Sequence, residues 1–154
     1  MDPWPFENEE WDKVGDLTRR LSNTWSDDLP HGCDEVLHDS ILQELLGYLG
    51  DLIEKYGEIP VLLETLADYV EDPQERHGLY RKALDKAVEH ELTTVTIRLW
   101  LAELLLDEFG DAAEARRVLK EGEDEFLEND QAAEYSTMFA DLWWRCRPQE
   151  LTED

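Results

Sequence analysis

From Trp11 onward apolar residues recur every three or four positions, the repeat of an amphipathic helix, and no stretch alternates apolar and polar long enough for a half-buried strand. An all-α fold is expected. Trp11, Val14, Leu17 and Leu21 place a first helix that ends before Ser26. A second is predicted from an N-cap at Asp34 to Gly57, carrying Val36, Leu37, Ile41, Leu42, Leu45, Leu46, Leu49, Leu52 and Ile53. Its apolar residues fill more than one stripe, so it is expected to be central. Pro60 and Pro73 each suit a first helical residue, whose N–H is unpaired in any helix, and Asp72 can cap the second of them. Helices over 60–71 and 73–90 follow, joined as an antiparallel hairpin by a very short turn. Gly110 closes a helix begun near Thr94, and Asp111 opens one that runs to about Glu128. Asn129-Asp130 starts the last, through Ala133, Met138, Leu142 and Trp143, and Pro148 ends it.

About seven helices in one domain result. Residues 1–33 form an N-terminal helix and an acidic linker, Ser26 to Gly32; residues 34–147 form helical hairpins; residues 148–154 are a frayed tail.

Two of the hairpins share a pattern. Tyr80 stands three before Ala83 and Leu119 three before Gly122, and the two small residues are 39 positions apart, which implies a repeated hairpin. In the later one, Leu99, Ala102, Leu106, Gly110, Ala115, Leu119 and Gly122 supply in order the large, small, large, glycine, small, large and small residues of a tetratricopeptide repeat. Ala102 and Ala115 would let two helices approach closely, Gly110 would permit the turn, and the larger residues would fill the grooves. The chain resembles that family from about Val61 to Leu127. It departs where Glu103 replaces a small residue, where Leu127 replaces proline, and in a spacing longer than the family's period of about 34.

The resemblance implies antiparallel hairpins stacked as a short TPR-like α-solenoid, a non-enzymatic scaffold whose concave groove binds a peptide or protein, with the last helix as a cap. It would line that groove with Ile97, Trp100, Leu104, Asp107 and Glu108, and with Val61, Thr65, Asp68 and Tyr69 from the preceding hairpin.

Composition narrows the partner. The 154 residues include 39 acidic and 14 basic side chains, a formal net charge of -25, so nucleic-acid phosphates and anionic membranes are repelled. With 42% hydrophobic residues and six Trp the chain still supports a packed core. Its start, Met1-Asp2-Pro3-Trp4-Pro5-Phe6-Glu7, carries neither a basic nor an apolar leader stretch, and its longest apolar window, Leu99–Leu106, is too short for a membrane span. A cytosolic protein is expected, with Cys33 and Cys146 as reduced thiols.

Catalytic signals are few. Glu35-Val36-Leu37-His38 has the Glu-x-x-His spacing of carboxylate-bridged di-iron sites, but that chemistry needs a second such motif, and none exists. His31, Cys33 and His38 match no zinc spacing. Phosphate-cradling loops, nucleophile elbows and EF-hand loops are absent from the sequence, so no enzyme, cofactor or metal is expected.

The acidic excess admits three readings: a solvated surface, complementarity to a basic protein, and mimicry of nucleic acid as a special case of the second. Carboxylates gather at Glu7, Glu9, Glu10 and Asp12, at Asp27 and Asp28, and at Glu121, Glu123, Asp124, Glu125 and Glu128. The last group crowds like charges into two turns, a cost that a basic partner would offset. Among the aromatic residues, Trp11 and Trp143 lie on core stripes, while Trp25 and Trp144 are candidate anchors.

The expected function is that of an interaction module that binds and neutralises a basic protein, such as an immunity protein for a nuclease or other toxin. The alternative is an adaptor or chaperone that holds a peptide in its groove. Candidate partner-binding residues are Asp68, Tyr69, Trp100, Asp107, Glu108, Glu121, Glu123, Asp124 and Glu125.

Overall fold

The 3.6-residue repeat is realised as eight helices in a computed structural model that describes residues 5–25, 32, 34–128 and 135–147. No strand occurs among the described residues. The helices are α1 (Asn8–Ser22), α2 (Glu35–Tyr56), α3 (Pro60–Tyr69), α4 (Pro73–Glu89), α5 (Val95–Asp107), α6 (Ala112–Glu121), α7 (Glu123–Glu128) and α8 (Ser136–Arg145). They group into two compact units, Met1–Val70 and Glu71–Asp154.

Most ends follow local chemistry. The carboxylates of Asp34, Asp72 and Asp111 accept from the backbone amides of Leu37, Glu75 and Glu114, at 3.1, 3.3 and 3.1 Å. Pro60 and Pro73 are the first residues of α3 and α4. Gly110 turns the chain between α5 and α6 at φ +60, a conformation that costs other residues about 1 kcal/mol. The linker residues Ser26–His31, the expected start of the last helix at Asn129 and the tail after Arg147 lie outside the described residues.

In the first unit α2 packs against both α1 and α3. Val14, Leu17 and Leu21 of α1 meet Ile41, Leu45, Leu49 and Leu52 of α2, with Leu62 of α3 and Phe6 completing the core. Trp11 is half-buried against this cluster and stacks on Phe6, with ring centroids 5.1 Å apart. Val36 and Leu37, predicted as part of the apolar face of α2, are instead exposed, because the buried stripe of that helix begins only at Ile41.

Beyond the core, α1 is tied to the far end of α2 through Glu10. Its carboxylate accepts from the Tyr56 hydroxyl, from Lys55 Nζ at 3.0 Å and from the Glu7 backbone amide at 2.9 Å. The Tyr56 and Glu7 bonds, aided by Lys55 and opposed by burial, hold the Glu10 carboxyl down at about 2.

In the second unit α5 is the enclosed helix, packed against α4, α6 and α8. Val95, Ile97, Leu99, Leu101, Ala102, Leu104 and Leu105 are all buried, so apolar residues occupy most of its circumference. Leu99 and Ala102 of α5, and Ala115 and Leu119 of α6, are fully buried, and the two helices make the most extensive contact among the described helices. Ile97 and Leu104, which the repeat resemblance would place in a groove, are buried too.

The single helix expected from Asp111 to about Glu128 is two helices, because Gly122 interrupts it and makes the total eight rather than about seven. The cause is Arg98. This side chain is buried, donates from Nη1 to the Val118 carbonyl at 2.8 Å and from Nε to Thr94 Oγ1 at 2.9 Å, and runs directly across Gly122. A Cβ at position 122 would stand 2.7 Å from Arg98 Nε and nearer still to Cδ.

Two predictions follow from these ties. Gly122→Ala has to displace an anchored guanidinium and should cost about 1–3 kcal/mol in urea unfolding, whereas Gly50→Ala, with nothing near its new Cβ in α2, should gain about 0.5–1 kcal/mol. Because the Glu10 carboxyl is held below its usual 4.5, its contribution to stability is present at neutral pH and is lost as pH falls from about 5 toward 2. Thermal midpoints across that range should therefore drop, and the drop should be shallower in Tyr56→Phe.

Candidate functional site

The acidic segment that follows α6 meets the start of α5, and this corner of the second unit carries four of the nine candidate residues, Glu121, Glu123, Asp124 and Glu125. Glu125 of α7 reaches the N-terminus of α5. One carboxylate oxygen accepts from the Thr93 hydroxyl at 2.8 Å and the Thr94 backbone amide at 2.7 Å, and the other from the Thr94 hydroxyl at 2.7 Å. Thr94, the N-cap of α5, makes no side-chain cap bond to its own helix, and the carboxylate of Glu125 from another helix accepts at this end instead. Burial pushes the Glu125 carboxyl up, but the Thr94 and Thr93 bonds, with the Arg98 charge, outweigh it and hold it below the usual range.

Arg98 lies behind this corner. Burial draws its guanidinium down, and the charges of Glu121 and Glu125 oppose that shift. Glu121 brings one carboxylate oxygen to 3.8 Å from Arg98 and the other to 3.8 Å from Arg117. Two of the crowded carboxylates are thus offset by arginines of the chain itself, which removes part of the cost that a partner was expected to offset. Glu123 and Asp124 remain exposed on the first turn of α7, and Glu128 is exposed at its end.

The other candidates are placed as follows. Trp100 is half-buried on α5, Asp107 ends that helix in an ion pair with Arg145 of α8, and Glu108 is exposed beside it. Asp68 and Tyr69 belong to the first unit; Asp68 is exposed and Tyr69 half-buried against that unit's core. Burial, and then the Asp68 charge, push the Tyr69 hydroxyl up.

No protein-family model, curated protein or solved structure matches the chain. Its chemistry has to be read from its own side chains.

Among the described residues no group of three His, Cys, Asp or Glu is arranged to hold a metal ion. Glu35 is exposed, and His38 sits edge-on to Trp25 with ring centroids 6.3 Å apart and Nδ1 3.6 Å from Asp39. His31 and Cys33 lie outside the described residues. No helix there is long and apolar enough to cross a membrane.

A second charged cluster, on α4 and α6, was missed by pattern reading. Glu114 accepts from Arg81 and from Arg117, the latter through Nε at 2.9 Å, and Arg81 also donates to His77 Nε2 at 3.4 Å. The arginines hold the Glu114 carboxyl below its usual range, while burial and then the Arg81 charge lower His77. Glu114 and Arg81 stand 33 positions apart, so only the packing of the two helices could reveal the pair. These side chains satisfy one another and link the two helices.

Removing the Glu125 carboxylate leaves the Thr94 amide without its acceptor and Arg98 with one less compensating charge. Glu125→Ala should therefore cost about 2 kcal/mol of stability, whereas Glu123→Ala should change it by less than about 0.5 kcal/mol. Chemical unfolding of the two variants side by side measures the difference.

Proposed function

We propose that this chain is a non-catalytic interaction module that binds and neutralises a basic protein partner, with an immunity protein for a nuclease or other toxin as the most specific form of that reading. One observation carries it: most of the chain's basic side chains are already engaged by carboxylates or aromatic rings of the chain itself. Arg19 pairs with Asp16, Arg20 with Glu44, Lys55 with Glu10, Arg81 and Arg117 with Glu114, Arg98 with Glu121 and Arg145 with Asp107. Lys13, Arg116 and Arg147 lie over the rings of Tyr48, Trp143 and Trp144. With 39 acidic side chains against 14 basic ones, the carboxylates left over give the surface a strongly negative field.

Such a field speeds the encounter with a basic surface and rejects acidic ones; affinity then comes from apolar contacts formed after docking. A cytosolic setting and the TPR-like α-solenoid belong to the same reading. Support for the latter is limited to the α5–α6 pair, where the small residues Ala102 and Ala115 are buried at the helix contact.

An adaptor that holds a peptide along α5 is the second reading. Trp100 and Asp107 of α5 and the Glu108 that follows it favour this reading, since they stay at least partly accessible.

Capture of partners by the tagged chain from its native lysate, at low and then high salt, tests the proposal. One basic protein retained in about equal amount and released by salt is the expected result, and a charge-indifferent set of peptides or an empty column would overturn it. With that partner in hand, Glu123→Lys with Asp124→Lys should slow association about tenfold at low salt. Should Trp100→Ala abolish binding while the charge reversal leaves the on-rate unchanged, the groove reading replaces it.

A further inference from the structure

His77, Arg81 and Glu114 form a chain of contacts from α4 to α6, two helices of the same unit of which each is in contact with α5 or tied to it by these side chains. Arg81 Nε donates to His77 Nε2, one turn earlier on α4, at 3.4 Å, and Arg81 Nη2 donates to Glu114 of α6. The Glu114 carboxylate also accepts from Arg117, through Nε at 2.9 Å and through Nη2. His77, Arg81 and Glu114 are all half-buried. The Phe109 ring, from the turn between α5 and α6, lies against the imidazole with ring centroids 5.5 Å apart.

This geometry suits one form of the imidazole. Nε2 accepts, so the ring is neutral and carries its proton on Nδ1. Protonation would put a hydrogen on the accepting atom and bring a second positive charge to 3.4 Å from the guanidinium. The carboxylate in the cluster is already shared: Glu114 answers two guanidiniums, and an imidazolium would set three cations against one anion. Glu108 and Asp111, on either side of the Phe109 turn, are exposed, and Asp111 is engaged in capping α6. Burial and then the Arg81 charge draw His77 below its ordinary 6.5, and the Glu114 charge offsets only part of this.

We propose that His77 is a pH-sensitive latch: neutral, it holds the Arg81 guanidinium in the bridge from α4 to Glu114 of α6; protonated, it expels that guanidinium and loosens both the bridge and the Phe109 turn packed on it. The latch does not depend on what the chain binds. Because the folded chain takes up this proton less readily than the unfolded chain, the stabilisation is complete above about pH 7 and is lost as pH falls through 6.5, above the range in which Glu10 acts.

The test is a titration of the full chain by NMR from about pH 7.5 to about pH 5, following the His77 ring and the Arg81 Nε–H resonance together, with thermal midpoints taken at both ends. The His77 ring should titrate with a midpoint below 6.5, and the Arg81 resonance should move with that same midpoint. Thermal stability should fall by at least about 2 °C more in the wild-type chain than in His77→Gln, whose amide oxygen can still accept from Arg81 but takes up no proton in this range. In that variant the Arg81 resonance should stay in place, and the comparison cancels whatever His31, His38 and His90 contribute. Arg81→Met is the second variant: without the neighbouring guanidinium the His77 midpoint should rise.

A His77 midpoint at or above 6.5, an Arg81 resonance that does not follow it, or equal pH dependence of stability in the wild-type chain and His77→Gln would overturn the latch. A midpoint unchanged by Arg81→Met would assign the lowering to burial alone and overturn it as well.

Discussion

A buried guanidinium organises the second unit. Arg98 leaves an enclosed helix and crosses a glycine to reach the Val118 carbonyl, so it ties α5 to α6 and leaves no room for a side chain at position 122. A buried charge is tolerated only when it is hydrogen-bonded and compensated, and here two carboxylates on either side of the break, Glu121 and Glu125, supply the compensation. The short α7 is held by the same requirement, since Glu125 answers the Arg98 charge and caps the helix from which Arg98 emerges.

The first unit is fastened differently. Its core is a row of leucines between α1 and α2, and such rows permit sliding unless something polar fixes the register. Glu10 does so by reaching the Tyr56 and Lys55 side chains at the last turn of α2 while it holds the first turn of its own helix. In both units a carboxylate that formal charge would count as free surface is engaged in holding helices together. The acidity is therefore of two kinds: a minority of carboxylates is structural, and the larger remainder faces water with few cations left to answer it.

That division bears on function. Crowding of like charge near Glu121–Glu125 first pointed to a basic partner, yet Glu121 and Glu125 already have arginine nearby and only Glu123 and Asp124 keep that segment's charge wholly outward. At the start of α2, Asp34, Glu35 and Asp39 are exposed in the same two turns as the exposed Val36 and Leu37, and the chain carries no lysine or arginine between Arg20 and Lys55.

Helical periodicity, the aspartate caps and the two prolines determined the class of fold and nearly all helix ends, because each acts within a few residues of itself. The same local signals ran Asp111 to Glu128 as one helix, since nothing near Gly122 in sequence announces that Arg98, 24 positions earlier, will lie across it. They also turned Val36 and Leu37 inward, because periodicity shows which side of a helix is apolar and not whether another helix extends far enough to cover it. Of the candidate residues, Trp100, Glu108, Glu123 and Asp124 keep the accessibility that their sequence positions suggested, while Glu125 is taken up by a cap it provides to another helix. Composition determined the sign of the surface by itself, since charge is a sum over residues. Which carboxylates are free to meet a partner was decided by packing, because pairing depends on distances that only the tertiary structure sets.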